Sequence, residues 1–82
     1  MHKGNRISRH ARQRYDERRK PDYPEKVETA LRNGEYFGRV TGLTKAIRYR
    51  ELIFIINIQS HTVETVLPYE AFRRKRREQK LI

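Results

Sequence analysis

Leu52, Ile53, Phe54, Ile55, Ile56 and Ile58 fall within seven positions of a chain whose charged residues (37%) outnumber its hydrophobic ones (35%). Apolar side chains gathered this tightly must be taken out of water together, so the chain has something to fold around and does not read as disordered. The block closes a longer stretch, Ala46 to Ile58, rich in Ile, Tyr and Phe. Its first half alternates, Ile47 and Tyr49 against Arg48 and Arg50. Its second half is apolar at consecutive positions. Alternation followed by two-sided apolarity predicts one strand over 46–58 that ends at the centre of a sheet.

The flanking segments supply the rest of the fold. Ser8 has the chemistry of a helix N-cap, and Arg9 to Arg19 lacks Gly and Pro. Ile7, Ala11 and Tyr15 recur every four residues as an inward stripe, with His10, Arg14 and Arg18 as a second stripe beside it. Met1 to Ile7 reads as a loose lead-in, and Pro21 ends the first helix. Asp22 and Glu25 have capping-box spacing and Pro24 suits a first turn. A second helix of about ten residues follows, with Val27, Ala30 and Leu31 inward and Asn33-Gly34 as its stop. Tyr36 to Thr41 reads as a strand interrupted by Gly38, and Gly42 to Lys45 as a turn. Gln59-Ser60-His61 is a further turn with His61 exposed, and Thr62 to Leu67 is a strand that Pro68 terminates. Tyr69, Ala71 and Phe72 open a C-terminal helix. The expected class is α+β: a small antiparallel meander with the helices packed on one face, two of them N-terminal and the third a basic C-terminal helix. The 82 residues suit a single domain over 1–82. A domain of this size buries only about 60% of its unfolded surface, so an open groove or sheet face is expected rather than a deep cavity.

Charge placement narrows the partner. The net charge of +10 is unevenly spread: residues 1–20 carry eight Lys/Arg against two acids, 21–66 carry six of each, and 67–82 carry six against two. A neutral middle with basic ends suits a polyanion, with nucleic acid favoured, RNA preferred, and an acidic protein as the other class of partner. The chain has no cysteine, which excludes disulfides and thiolate metal sites. Its longest apolar run is five residues, against about 20 for a membrane span. The basic N-terminus has no apolar stretch of signal-peptide type, and the expected location is the cytoplasm. No phosphate loop, metal-ligand cluster or Ser-His-Asp pattern occurs, so neither a metal nor a small-molecule cofactor is expected. If the protein cuts a nucleic acid, metal-independent cleavage favours RNA, whose own 2′-hydroxyl is the nucleophile.

The candidate residues follow. His10 has the ordinary pKa best suited to proton transfer near neutrality, with Arg14 and Arg18 along the same face. Taken alone it reads first as a plain helix-surface or boundary histidine that hydrogen-bonds the sheet. Arg48 and Arg50 around Tyr49 have the form of a phosphate-gripping pair with a stacking ring, or of a solvated sheet face. Tyr69 reads first as core, and otherwise as a stacking platform or an acid. Arg9, Arg73, Arg74 and Arg76 are non-specific phosphate contacts.

Two stretches also resemble a known family. Ser8-x-His10-Ala11-x-x-Arg14-Tyr15-x-x-Arg18, then Pro24-Glu25-Lys26-Val27-Glu28-x-Ala30-Leu31-x-x-Gly34-Glu35 and Glu64-Thr65-Val66-Leu67-Pro68, resemble a family of small bacterial and phage proteins related to RelE and colicin D type ribonuclease folds. The resemblance covers about residues 7–68. It implies a RelE-like arrangement, with His10 as catalytic residue and Arg14 as its companion in an endoribonuclease of toxin type. The alternative function is a phage-type inhibitor that blocks an acidic or nucleic-acid-binding host protein.

Overall fold

The computed structural model describes residues 5–80, apart from the side chains of 76–80. Its elements are β1 (Arg6–Ile7), α1 (Arg9–Arg18), α2 (Val27–Asn33), β2 (Glu35–Arg39), β3 (Thr44–Tyr49), β4 (Leu52–Asn57), β5 (Thr62–Pro68) and α3 (Tyr69–Lys80). The five strands form one sheet in the order β1-β5-β4-β3-β2. β2 to β5 make an antiparallel meander, and β1 joins β5 in parallel, so the sheet is mixed. The class is α+β, as expected. Among the described residues no helix is long and apolar enough to cross a membrane.

The apolar block is β4, and it lies at the centre of the sheet. Strand side chains alternate between faces, so a strand that is apolar throughout needs cover on both sides. Leu52, Phe54 and Ile56 pack with Ala11, Tyr15, Val27 and Ala30 of α1 and α2 and with Tyr23 between them. Ile53 lies on the opposite face with Ala46 and with Phe72 of α3. The helices therefore occupy both faces of the sheet, and the expected one-sided arrangement is corrected. Ile53, Ile55 and Leu67 are the reason, because left bare they would form an apolar surface.

The expected long strand over 46–58 is a hairpin. Tyr49 pairs with Leu52 across a two-residue loop, in which Arg50 takes a left-handed φ of 51°. No Gly, Asn or Pro marks the reversal, so the local signal is missing. The turn before β3 lies at 40–43 rather than 42–45, since Thr44 and Lys45 already belong to β3; the Val40 N–H donates to the Thr44 carbonyl at 2.9 Å. Arg6 and Ile7 are a short strand rather than a loose lead-in.

α1 forms as its sequence requires. The Ser8 hydroxyl accepts from the Ala11 N–H at 3.0 Å and donates to the Glu64 carbonyl at 3.2 Å. One side chain thus caps the helix and ties it to a bulge in β5. The capping box expected at Asp22 and Glu25 is absent. α2 spans seven residues and starts behind Lys26, whose side chain makes no capping bond. The residues before it are used otherwise: Tyr23 enters the core, and the Pro24 carbonyl accepts from the Tyr15 hydroxyl at 2.7 Å.

Gly34 ends α2 as expected, but for a steric reason. Its φ of −76° suits any residue. A Cβ there would stand 2.6 Å from Ile47 Cγ2 and 3.1 Å from the Arg48 carbonyl oxygen, so only glycine lets α2 approach β3 this closely. Gly34→Ala is expected to cost about 1–3 kcal/mol, the usual range for overpacking, read as a lower midpoint in urea unfolding at unchanged slope. Tyr15 gives a second test. Burial, followed by the electrostatic influence of Tyr49, raises its hydroxyl pKa above the ordinary value. Its contribution is complete below the unfolded value of about 10 and is lost as the pH climbs through the higher folded value, because the unfolded chain ionises first. Alkaline denaturation should show that decline, and Tyr15→Phe should flatten it.

Candidate nucleic-acid interface

The sheet end where β3 turns into β4 is flanked by the α1–α2 connection and by the start of β2. These elements enclose an open cleft of about 780 Å³. Lys20, Asp22 and Tyr23 come from the connection, Glu35, Tyr36 and Phe37 from β2, and Arg48 to Glu51 from the hairpin. Tyr36 is 63% exposed, which leaves its ring free to stack. Adjacent Phe37 turns to the other face and packs edge-on against Tyr69 and Phe72, with both centroids 5.8 Å away.

The two arginines are held in place by their own chain. Arg48 Nε donates to the Arg50 carbonyl at 2.9 Å, and its guanidinium carbon lies 3.8 Å from the Tyr69 ring centroid. Arg50 Nη1 pairs with Asp22 Oδ2 at 2.7 Å, and its guanidinium carbon lies 5.0 Å from the Tyr23 centroid and 5.4 Å from that of Tyr49. Cation–π contact and a backbone acceptor fix these forks before any ligand arrives, which lowers the entropy lost on binding. Each guanidinium has five N–H donors, so most remain for a phosphate. Lys20, Arg48 and Arg50 face three acids, Asp22, Glu35 and Glu51. The cleft is therefore balanced in charge, and the basic surplus lies on the helices beside it.

The expected site residues do not converge. Arg48 and Arg50 line the cleft, but Arg50 sits in a turn rather than along one strand face with Arg48. Tyr49 is only partly exposed and meets Tyr23 edge-on at 5.5 Å; it packs against the helix-side core instead of offering a stacking face. Tyr36 has the exposure that the sequence reading gave to Tyr49. Tyr69 packs against the α3-side core and His61 is exposed in its turn, both as expected.

The α1 residues lie elsewhere. His10 is exposed near the start of α1 and makes no hydrogen bond or ion pair with the described residues. At 1.5 Å per residue it stands about 12 Å along the helix axis from Arg18, the last helical residue before Lys20 at the cleft. Arg14 is bound to Glu17 at 3.0 Å, and with Gln13 it holds that carboxyl below the usual range. Arg9 borders a shallow depression with Arg12 and Asp16. Arg12 pairs with Glu28 of α2 at 2.9 Å, which lowers the carboxyl pKa of Glu28 and raises that of Arg12. Arg18 serves the fold, since its Nε donates to the Val66 carbonyl at 3.1 Å. Arg73 and Arg74 are exposed on α3, Arg73 at 4.0 Å from Glu70, and the side chain of Arg76 lies outside the described residues. Among the described residues no three His, Asp or Glu side chains gather as metal ligands would.

Tyr36 and Lys20 were missed by sequence reasoning. The signal for Tyr36 was present: two adjacent aromatics in one strand must point to opposite faces, and the chain has too little apolar material to cover both. Lys20 carried no signal apart from its basic neighbours.

Fold and cleft together define an α+β domain with a mixed five-stranded sheet and an arginine–aromatic groove at one sheet end. No protein-family model, curated protein or solved structure matches the chain. The division of labour on α1 is testable. Arg18→Ala strips a partly buried carbonyl of its donor and should lower stability by about 1 kcal/mol. His10→Ala should leave the thermal midpoint where it is.

Proposed function

We propose that this protein binds single-stranded RNA, with a base stacked on Tyr36 and the adjoining phosphates held by Arg48, Arg50 and Lys20. The observation that carries this reading is an open cleft lined by the exposed Tyr36 together with two pre-positioned guanidiniums, those of Arg48 and Arg50. Stacking on an aromatic ring with cations along the backbone is how single strands are held without strong sequence preference. α1 and α3 add the long-range attraction that the balanced cleft lacks. The Ser8 to Arg18 motif, and the order of two helices before an antiparallel meander, agree with a RelE-like kinship, and that kinship favours RNA over DNA.

Binding without cleavage is the form of this reading that the geometry favours. His10 lies on an open helix face away from the cleft, and its companion Arg14 is engaged by Glu17. Neither is positioned to share a phosphodiester with Arg48 and Arg50.

Fluorescent single-stranded RNA, titrated with protein in EDTA across a salt series, tests this by anisotropy and by gel. Binding should weaken steeply with salt. Tyr36→Ala should weaken it by about tenfold or more, the loss of one stacked base, while His10→Ala should bind as the parent does and the RNA should stay intact. Cleavage that His10→Ala abolishes would establish the metal-independent ribonuclease instead. No binding at physiological salt would point to an acidic protein partner.

A further inference from the structure

The sheet face that bears Tyr36 continues beyond the cleft. Tyr36 stands opposite Ile47, and Arg39 stands opposite Lys45. Cross-strand partners share a face, and so do alternate positions of β3, so Lys45, Ile47 and Tyr49 point the same way. Ile47 and Tyr49 pack against the helix-side core, which makes this the face that α1 and α2 cover. Tyr36 and Arg39 are three positions apart, and in a regular strand they would lie on opposite faces. The irregularity in β2 between Tyr36 and Gly38 takes up Phe37, whose ring turns to the α3 side, and so brings Arg39 back to the face of Tyr36.

Arg39 and Lys45 are thus like charges set directly opposite each other, an arrangement that works against the pairing of their strands. No acid relieves it. Neither residue joins an ion pair among the described residues. Glu35, the one acid in β2, stands opposite Arg48 on the other face. Charged side chains also blunt an exposed strand edge, but Lys45 belongs to β3, which is not at the margin of the sheet. Ile47 and Lys45 are two residues apart, which places the pair about 7 Å along the strands from Tyr36. Two cations fixed by one ladder, both short of an anion and this close to an exposed ring, have the form of a phosphate site.

We infer that Arg39 and Lys45 form a second phosphate subsite, which holds the RNA backbone on the side of Tyr36 away from Arg50 and Lys20. The inference rests on the RNA-binding reading above and gives it a direction: the strand runs along β2, with cations on both sides of the stacked base. The phosphodiester oxygens offer each cation an acceptor, and their charge offsets the repulsion between the two.

Fluorescence anisotropy with single-stranded RNA across a salt series tests the subsite, with Arg39→Gln and Lys45→Met beside the parent. Methionine keeps the apolar stem of half-buried Lys45 and removes its charge. Each variant should weaken binding about fivefold and lower the slope of log affinity against log salt by about 0.7, the value of one phosphate contact on a single strand. The thermal midpoint of each should hold or rise, because like charges no longer face each other. Lys26→Met, the same loss of charge at the end of α2 away from β2, should change the affinity by less than about twofold. RNA binding that Tyr36→Ala weakens and that Arg39→Gln and Lys45→Met leave unchanged would overturn the subsite and keep the RNA-binding reading. An equal loss in Lys26→Met, or a midpoint that falls along with the affinity, would overturn the subsite as well. A parent that binds no RNA would overturn both.

Discussion

The two-sided burial of β4 is the constraint on which the rest of this fold depends. Ile53, Phe54 and Ile56 are all shielded from solvent although adjacent positions point to opposite faces. Sheet residues alone cannot hide both sides, so helices must come to each. α1 and α2 cover one face with a tyrosine, two alanines and a valine, and α3 covers the other through Phe72 with Tyr69. A chain this polar has little apolar material to spare. Most of what it has is in contact with this strand or its neighbours.

That economy explains how much was legible in the sequence. α1, its Ser8 cap, the inward Ala11 and Tyr15 and the end of β5 at Pro68 were all readable, because each rests on a local rule of spacing or capping; the stop at Gly34 was readable too, although its cause is the close approach of α2 to β3. The hairpin within 46–58 was not, because Arg50 and Glu51 are poor turn formers and the reversal is imposed by pairing with the rest of the sheet. The capping box failed for a tertiary reason, since Asp22 is drawn to Arg50 and Tyr23 into the core. The side taken by α3 was ambiguous because its single apolar turn fits either face until the strand order is known. In the cleft, the Arg48–Arg50 spacing was visible but their partners were not. Tyr49 and Tyr36 exchanged places because exposure depends on which strand is at the edge.

The electrostatic design separates attraction from positioning. The net positive charge of the chain lies mainly toward its two ends, on α1 and α3, where it acts at long range and is screened by salt, although Arg12 and Arg14 are paired with Glu28 and Glu17. The arginines of the cleft are instead neutralised nearby and oriented by rings and a backbone carbonyl. A ligand phosphate at Arg50 would compete with Asp22, whose carboxylate already fills one fork position at 2.7 Å. Unoccupied, the site is therefore satisfied rather than bare, and this keeps two guanidiniums ordered at a sheet end.

The finished margin along β5 bears on how such a sheet can grow. A strand edge recruits others when its carbonyls and amides are left open, and a sheet open at both margins can extend without limit into fibres. Here a two-residue strand, a serine hydroxyl and an arginine side chain occupy one margin. Arg6, Ser8 and Arg18 thus satisfy, from within the chain, carbonyls at this margin that an incoming strand would otherwise bond.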